Sequence, residues 1–138
     1  VRFGAKLTLV SPSTLKMPVE IVTDLREHGS EIVETDSLGD QIGEADVIYV
    51  TRIQKERFPD EDEYAKLAGI YKIKGADLSG AKKGMIVMHP LPRVDEIDPS
   101  VDSTEFARYF EQAFNGVPTR MALLCMSLGV DIPKKVKK

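Results

Sequence analysis

Asp46-Val47-Ile48-Tyr49-Val50, followed at once by Thr51-Arg52-Ile53-Gln54, is the stretch from which the fold is read. Its first part is apolar without alternation. That is the pattern of a parallel strand covered on both faces. Its second part turns polar where such a strand should end. In open sheets of parallel strands, ligands bind in the crevice at the carboxyl ends of the strands. The stretch therefore supplies both an element of the fold and a place to look for function.

Outward from it, other short runs repeat the pattern. Residues 6–10 (KLTLV), 31–35 (EIVET) and 85–88 (MIVM) read as strands, and residues 70–73 as a further short one. Between them lie helical patterns. Met17, Ile21, Val22 and Leu25 are spaced for one helix, with Ser13 as a candidate cap before it and Gly29 as its stop. A short helix is expected near residues 37–43. Another is expected at 60–68, where acids at the start suit the helix dipole. Residues 75–81 read as a turn or short helix. From Ser103 a helical pattern runs through Phe106, Tyr109, Phe110, Ala113 and Phe114, aromatics that read as core. Strands alternating with helices imply an α/β fold: a doubly wound, mostly parallel open sheet of Rossmann-like type, with right-handed crossovers.

At residues 115–118 (NGVP) the helical pattern is interrupted. Either Pro118 opens a new helix or one long helix kinks there. Beyond it Met121, Ala122, Leu124, Cys125 and Leu128 make the segment apolar over much of its circumference. The expected organisation is an α/β domain over residues 1–104, a helical segment over 105–130 with more apolar surface than one small sheet covers, and a solvated basic tail over 131–138.

The strand-end rule selects two places for chemistry. Arg52 and Gln54 are two apart, so an extended segment points them the same way. A guanidinium fork with a neighbouring carboxamide suits a ligand carboxylate. The alternative is a surface arginine paired with Glu56 or another acid. The second place is His89-Pro90-Leu91-Pro92-Arg93. Prolines lack an N–H, so this backbone presents carbonyls, fit for a ligand's NH₂. The alternative is a rigid turn with no ligand. His89 has no serine, cysteine or paired carboxylate at motif spacing and reads as structural. Arg120 stands in an apolar stretch and needs a carboxylate or solvent.

The 138 residues, 42% hydrophobic and 30% charged, are enough for one domain with a real core. A net charge of -3 excludes the basic footprint of a nucleic-acid binder. No apolar run reaches the roughly 20 residues that a membrane span needs. Cys125 is the only cysteine, so no internal disulfide can form. A reducing, cytoplasmic setting without export is expected. Two histidines and one cysteine at no metal-binding spacing give no support for a metal. No glycine-rich nucleotide loop is present either.

Three stretches together resemble aspartate carbamoyltransferase: residues 46–57 (DVIYVTRIQKER), 88–97 (MHPLPRVDEI) and 108–124 (RYFEQAFNGVPTRMALL). The resemblance covers nearly the whole chain and corresponds to the family's C-terminal, aspartate-binding half. Ornithine carbamoyltransferase is less similar, having a different loop at Thr51 to Gln54 and a Cys-Leu-Pro turn in place of His-Pro-Leu-Pro. The resemblance implies carbamoyl transfer from carbamoyl phosphate to the amine of L-aspartate, a step of pyrimidine synthesis that needs no cofactor. It implies that Arg52 and Gln54 bind the aspartate carboxylate. It implies that Pro90 and Leu91 offer carbonyls to the carbamoyl NH₂, with Leu91–Pro92 cis. Glu56 and Glu96 would orient Arg52 and its loop, Arg120 would be structural near a domain junction, and residues 55–64 would close over aspartate.

The family's phosphate-binding Ser-Thr-Arg-Thr loop is not found in this sequence. The expectation is therefore an aspartate half whose C-terminal helix docks on a carbamoyl phosphate domain, inactive by itself. In the family the complete catalytic chain forms a homotrimer, in some cases with regulatory chains. The competing expectation is a non-catalytic relative used as an assembly or scaffolding module.

Overall fold

Each of the four β-branched runs forms a strand in the computed structural model, which describes residues 4–53 and 69–131. Strand β1 is Leu7–Val10, β2 is Ile32–Thr35, β3 is Val47–Tyr49 and β4 is Ile86–Met88. All pairing is parallel, as the α/β reading expects. Leu7 stands against Ile32 in the first pair and Tyr49 against Met88 in the second. The strands form two two-stranded sheets, β1-β2 and β3-β4, rather than one continuous sheet. A cleft of about 900 Å³ lies between them, lined on its two sides by Leu7, Thr8, Val10 and by Val47, Ile48, Tyr49.

That cleft corrects one expectation for β3. Val47 and Tyr49 are 51% and 54% exposed while Ile48 is buried, so burial alternates along the strand. The apolar run looked two-sided because Val and Tyr tolerate a half-exposed pleat as well as a buried one.

Helix α1 (Val19–Glu27) begins only after Pro18. Proline drives the residue before it out of helical backbone, which leaves Met17 outside. Ser13 therefore does not cap α1; it opens a short 3-10 turn, Ser13–Leu15. At the other end Gly29 takes φ +80°, and the Ser30 N–H closes on the Leu25 carbonyl at 3.0 Å. Helix α2 (Gly39–Ile42) is short, and Gly75–Gly80 is a 3-10 helix. The expected strand near residues 70–73 reduces to a single bridge from Ile73 to Ile97. The helix expected at 60–68 lies outside the described residues.

The long C-terminal helix α3 (Tyr109–Leu128) starts later than the periodicity suggested. Residues 106–108 instead run beside β4: the Val87 N–H donates to the Phe106 carbonyl at 2.8 Å, and the Arg108 N–H to the Val87 carbonyl at 3.0 Å. Strand pairing satisfies the Phe106 carbonyl and the Arg108 N–H, the latter one of the donors that a helix start leaves open. Pro118 lies inside α3, which runs through as one helix. Gly129 ends it in the left-handed region at φ +64°.

The core gathers Ile48, Val50, Ile73, Met85, Val87 and Tyr109, with Leu78, Ile97 and Val101 around them. Burying each such side chain contributes about 1.5–3 kcal/mol. Of the aromatics read as core, Tyr109 is sealed and Phe106 packs against the cluster. Phe110 and Phe114 are 54% and 73% exposed. The 3.6-residue stripe is real, but only its first turn meets the sheet.

Candidate functional site

Parallel pairing of β3 with β4 brings the two selected loops out on the same edge. The Val50 N–H donates to the Met88 carbonyl at 2.9 Å, the last bond before both chains leave the sheet. Thr51, Arg52 and Ile53 then emerge on one side, and His89, Pro90 and Leu91 on the other. Thr51 and Arg52 are exposed, as a ligand-facing segment requires. Gln54 and Glu56 lie outside the described residues, as does the segment 55–64 expected to close over a ligand.

The His89 turn is held with more bonds than its sequence advertises. The Leu91–Pro92 bond is cis, and Leu91 takes φ +52°. Positive φ is uncommon for a branched residue and persists where surroundings impose it. The imposing contacts are visible. The Leu91 N–H donates to His89 Nδ1 at 2.8 Å. His89 Nε2 lies 2.7 Å from Glu96 Oε1. Glu96 Oε2 accepts from the Val94 and Asp95 N–H groups at 3.1 and 3.0 Å. The His89 N–H donates to Gln112 Oε1 at 2.9 Å, and Gln112 Nε2 reaches the Tyr49 hydroxyl at 3.3 Å.

His89 and Glu96 are 1% and 7% exposed, so the structural reading of His89 holds. Burial pushes the Glu96 carboxyl up, but N–H donors of its own backbone, Val94 and Asp95, together with His89, outweigh it. Its pKa is held below the ordinary value. Among the described residues Glu96 bonds to His89 and to its own loop; its expected influence on Arg52 belongs to the proposal below.

Arg93 anchors the other end of the turn. Its Nη2 donates to Asp102 Oδ2 at 2.6 Å and its Nη1 to Asp102 Oδ1. The guanidinium also lies over the Tyr109 and Phe110 rings, at 5.6 and 5.9 Å. Asp102 raises the already high Arg93 pKa further, and Arg93 holds the Asp102 carboxyl below its ordinary range.

Beside the turn, a cavity of about 490 Å³ opens between Met88 and the α3 residues Gln112, Asn115, Gly116, Thr119 and Arg120. Arg120 folds back over Gly116, where an added Cβ would come within 2.5 Å of its Nη1. Arg120 thus stands about three turns along α3 from the core, exposed, at the mouth of that cavity. No group of three or more His, Cys, Asp or Glu is placed to hold a metal among the described residues.

Sequence reasoning passed over three residues of this arrangement. Tyr109 reads there only as core, and neither Gln112 nor Asp102 is given a part in the turn. The one available signal was that an arginine inside a proline-rich turn needs an acid, and Asp102 is nine residues on.

Parallel strands that release an arginine loop and a carbonyl-presenting proline turn on one edge define an α/β ligand-binding domain. A sequence model described as "Aspartate/ornithine carbamoyltransferase, Asp/Orn binding domain" matches residues 1–127. The aspartate carbamoyltransferase catalytic subunit of Methanocella arvoryzae is 59% identical over 130 residues, covering 94% of this chain and 42% of that protein. The catalytic subunit of M. jannaschii aspartate transcarbamoylase superposes with a TM-score of 0.78 at 51% identity, over 86% of this chain and 39% of that one. The Trypanosoma cruzi aspartate transcarbamoylase solved with carbamoyl phosphate and aspartate superposes with a TM-score of 0.75 at 38% identity, over 86% and 40%.

The chain belongs to the aspartate/ornithine carbamoyltransferase family, as its Asp/Orn binding domain. It spans about 42% of the length of the first relatives it matches.

Proposed function

We propose that this chain is the aspartate-binding part of an aspartate carbamoyltransferase catalytic chain, acting in the cytoplasm within a homotrimer. The observation that carries this reading is the shared edge: Thr51 to Ile53 and Pro90 to Leu91 leave neighbouring strands side by side. The loops can therefore face one small ligand together.

In this reading Arg52 and Gln54 take the carboxylate of L-aspartate, with Glu56 and Glu96 steadying Arg52 and its loop. The carbonyls of Pro90 and Leu91, beside Pro92, take the carbamoyl NH₂ of carbamoyl phosphate. The aspartate amine attacks the carbamoyl carbon, a tetrahedral intermediate forms, and the amine's proton passes to the phosphate as the carbon–oxygen bond breaks and phosphate leaves. This half contributes position rather than acid–base chemistry; aligning the reactants is itself a large part of such a rate enhancement. Charge stabilisation at the phosphate belongs to a carbamoyl phosphate domain, with Arg120 near the junction.

The test is carbamoyl-aspartate formation by this chain mixed with a separately produced carbamoyl phosphate domain of the M. jannaschii catalytic subunit. Each component alone should be inactive and the mixture active. A folded chain that gives no product with a partner domain proven competent on its own aspartate half would overturn the reading.

A further inference from the structure

We infer that His89 is a positioning residue: held by Glu96 as the neutral tautomer with its proton on Nε2, it uses Nδ1 to capture the Leu91 N–H and so fixes the backbone carbonyls of the turn. As a contribution to catalysis this rests on the carbamoyl-transfer reading above; as a statement about the turn it stands by itself.

The hydrogen-bond pattern admits one arrangement of protons. Leu91 N–H is a donor, so the lone pair of Nδ1 must face it at 2.8 Å. The ring proton then sits on Nε2 and points at Glu96 Oε1, 2.7 Å away. The Glu96 carboxylate is kept ionised and aimed by the Val94 and Asp95 N–H groups on its other oxygen. The His89 backbone is itself fixed through Gln112. The chain of command runs from Glu96 through the imidazole to the amide of Leu91, a residue held at φ +52°. Since the imidazole is sealed from solvent, its role is to shape the turn and not to touch a substrate. A carboxylate that fixes the tautomer of a histidine through its far nitrogen is a general way of orienting that ring.

Two substitutions separate the nitrogens. His89→Asn places Oδ1 near the position of Nδ1 and keeps an acceptor for Leu91, while losing Glu96. His89→Gln places Nε2 near the histidine Nε2 and keeps a donor for Glu96, while losing the acceptor. Asparagine is the smaller of the two and leaves the larger void at this sealed position, so a merely structural role makes His89→Asn the more damaging change, the reverse of what the hydrogen bonds demand.

The first measurement uses the chain itself, isotope-labelled for NMR. Long-range nitrogen–proton correlations should show His89 with an unprotonated Nδ1. Leu91 amide exchange should speed up by about tenfold or more in His89→Gln relative to His89→Asn, the worth of one ordinary buried hydrogen bond. A proton on Nδ1, or equal Leu91 exchange in the two variants, overturns the proposal.

The second uses the mixture with the carbamoyl phosphate domain. His89→Gln should lose about tenfold more kcat than His89→Asn, with the KM for aspartate little changed in either. Equal losses, or losses confined to the aspartate KM, remove the catalytic part. An inactive wild-type mixture sinks the carbamoyl-transfer reading instead, and the NMR result still decides His89.

Discussion

The carboxylate of Asp102 receives both arms of the Arg93 guanidinium, and the hydroxyl of buried Tyr109 donates to the same carboxylate. One acid thus joins the proline turn, the segment before α3 and the first residue of that helix. Asp102→Ala leaves an arginine and a buried hydroxyl without their acceptor. A loss of about 2–3 kcal/mol in urea unfolding is expected. Arg93→Lys should recover little of what Arg93→Ala loses, because a single ammonium cannot span both oxygens. A change below about 0.5 kcal/mol in Asp102→Ala, the range of ordinary surface substitutions, would count against the cluster.

The same cluster sets the response to pH. Burial, with Asp102 beside it, pushes the Tyr109 hydroxyl up to about 12. In the unfolded chain it ionises near 10. A raised value in the folded state contributes stability that is complete below about pH 10 and lost as pH climbs through about 12. Asp102 and Glu96 act on the other limb. Their values are held down, so their contribution is complete above the ordinary carboxylate range near 4 and is lost as pH falls below it. Stability measured against pH should be flat between these limits. Tyr109→Phe should lack the alkaline decline assigned to Tyr109, and the last-ionising tyrosine should vanish from its near-UV titration.

Pro118 leaves the carbonyl four residues back, that of Phe114, without a helical N–H. The Thr119 hydroxyl donates to the next carbonyl, that of Asn115, at 2.7 Å, and so does not replace the donor that Phe114 lacks. Pro118→Ala restores the missing donor, and an interior proline disfavours a helix by about 3 kcal/mol. Thermal unfolding should therefore rise in midpoint, and α3 amides near Pro118 should exchange more slowly. A lower midpoint would mean that the proline shapes α3 for packing in a way its helical geometry hides.

Arg52→Ala tests the aspartate side of the site. A charge-assisted bond to a carboxylate contributes about 1.5–3 kcal/mol, or about ten- to a hundredfold in binding. In the reconstituted mixture the KM for aspartate should rise by that factor, with that for carbamoyl phosphate nearly constant. An unchanged aspartate saturation curve would remove Arg52 from the carboxylate site.

The strands and the two site loops were legible because short β-branched runs and an abrupt polar end are local signals. The turn around Leu91 was legible only as a carbonyl-presenting loop. Its bracing comes from Glu96, Asp102 and Gln112, which are close in space but carry no shared spacing. Residues 103–108 misled for a related reason: Phe106 and Tyr109 have helical spacing, yet the backbone between them pairs with Val87. Periodicity sees side chains, whereas open carbonyls and amides beside a strand decide what the main chain does. The exposure of Phe110 and Phe114 belongs to the same blind spot, since a stripe tells which face is apolar and not how much of it finds a partner.

Helix α3 is about 30 Å long at the usual rise per residue. Among the described residues, Tyr109 and Gln112 near its start bond it to the rest of the chain, while Phe114, Met121, Leu124 and Leu128 stand exposed. Mechanically it is a cantilever rooted beside Pro90 and Leu91. A load on the free end produces its greatest bending moment at the root, where Gln112 grips the backbone of His89. Whatever seats on the far half of the helix is thereby weighed at the turn.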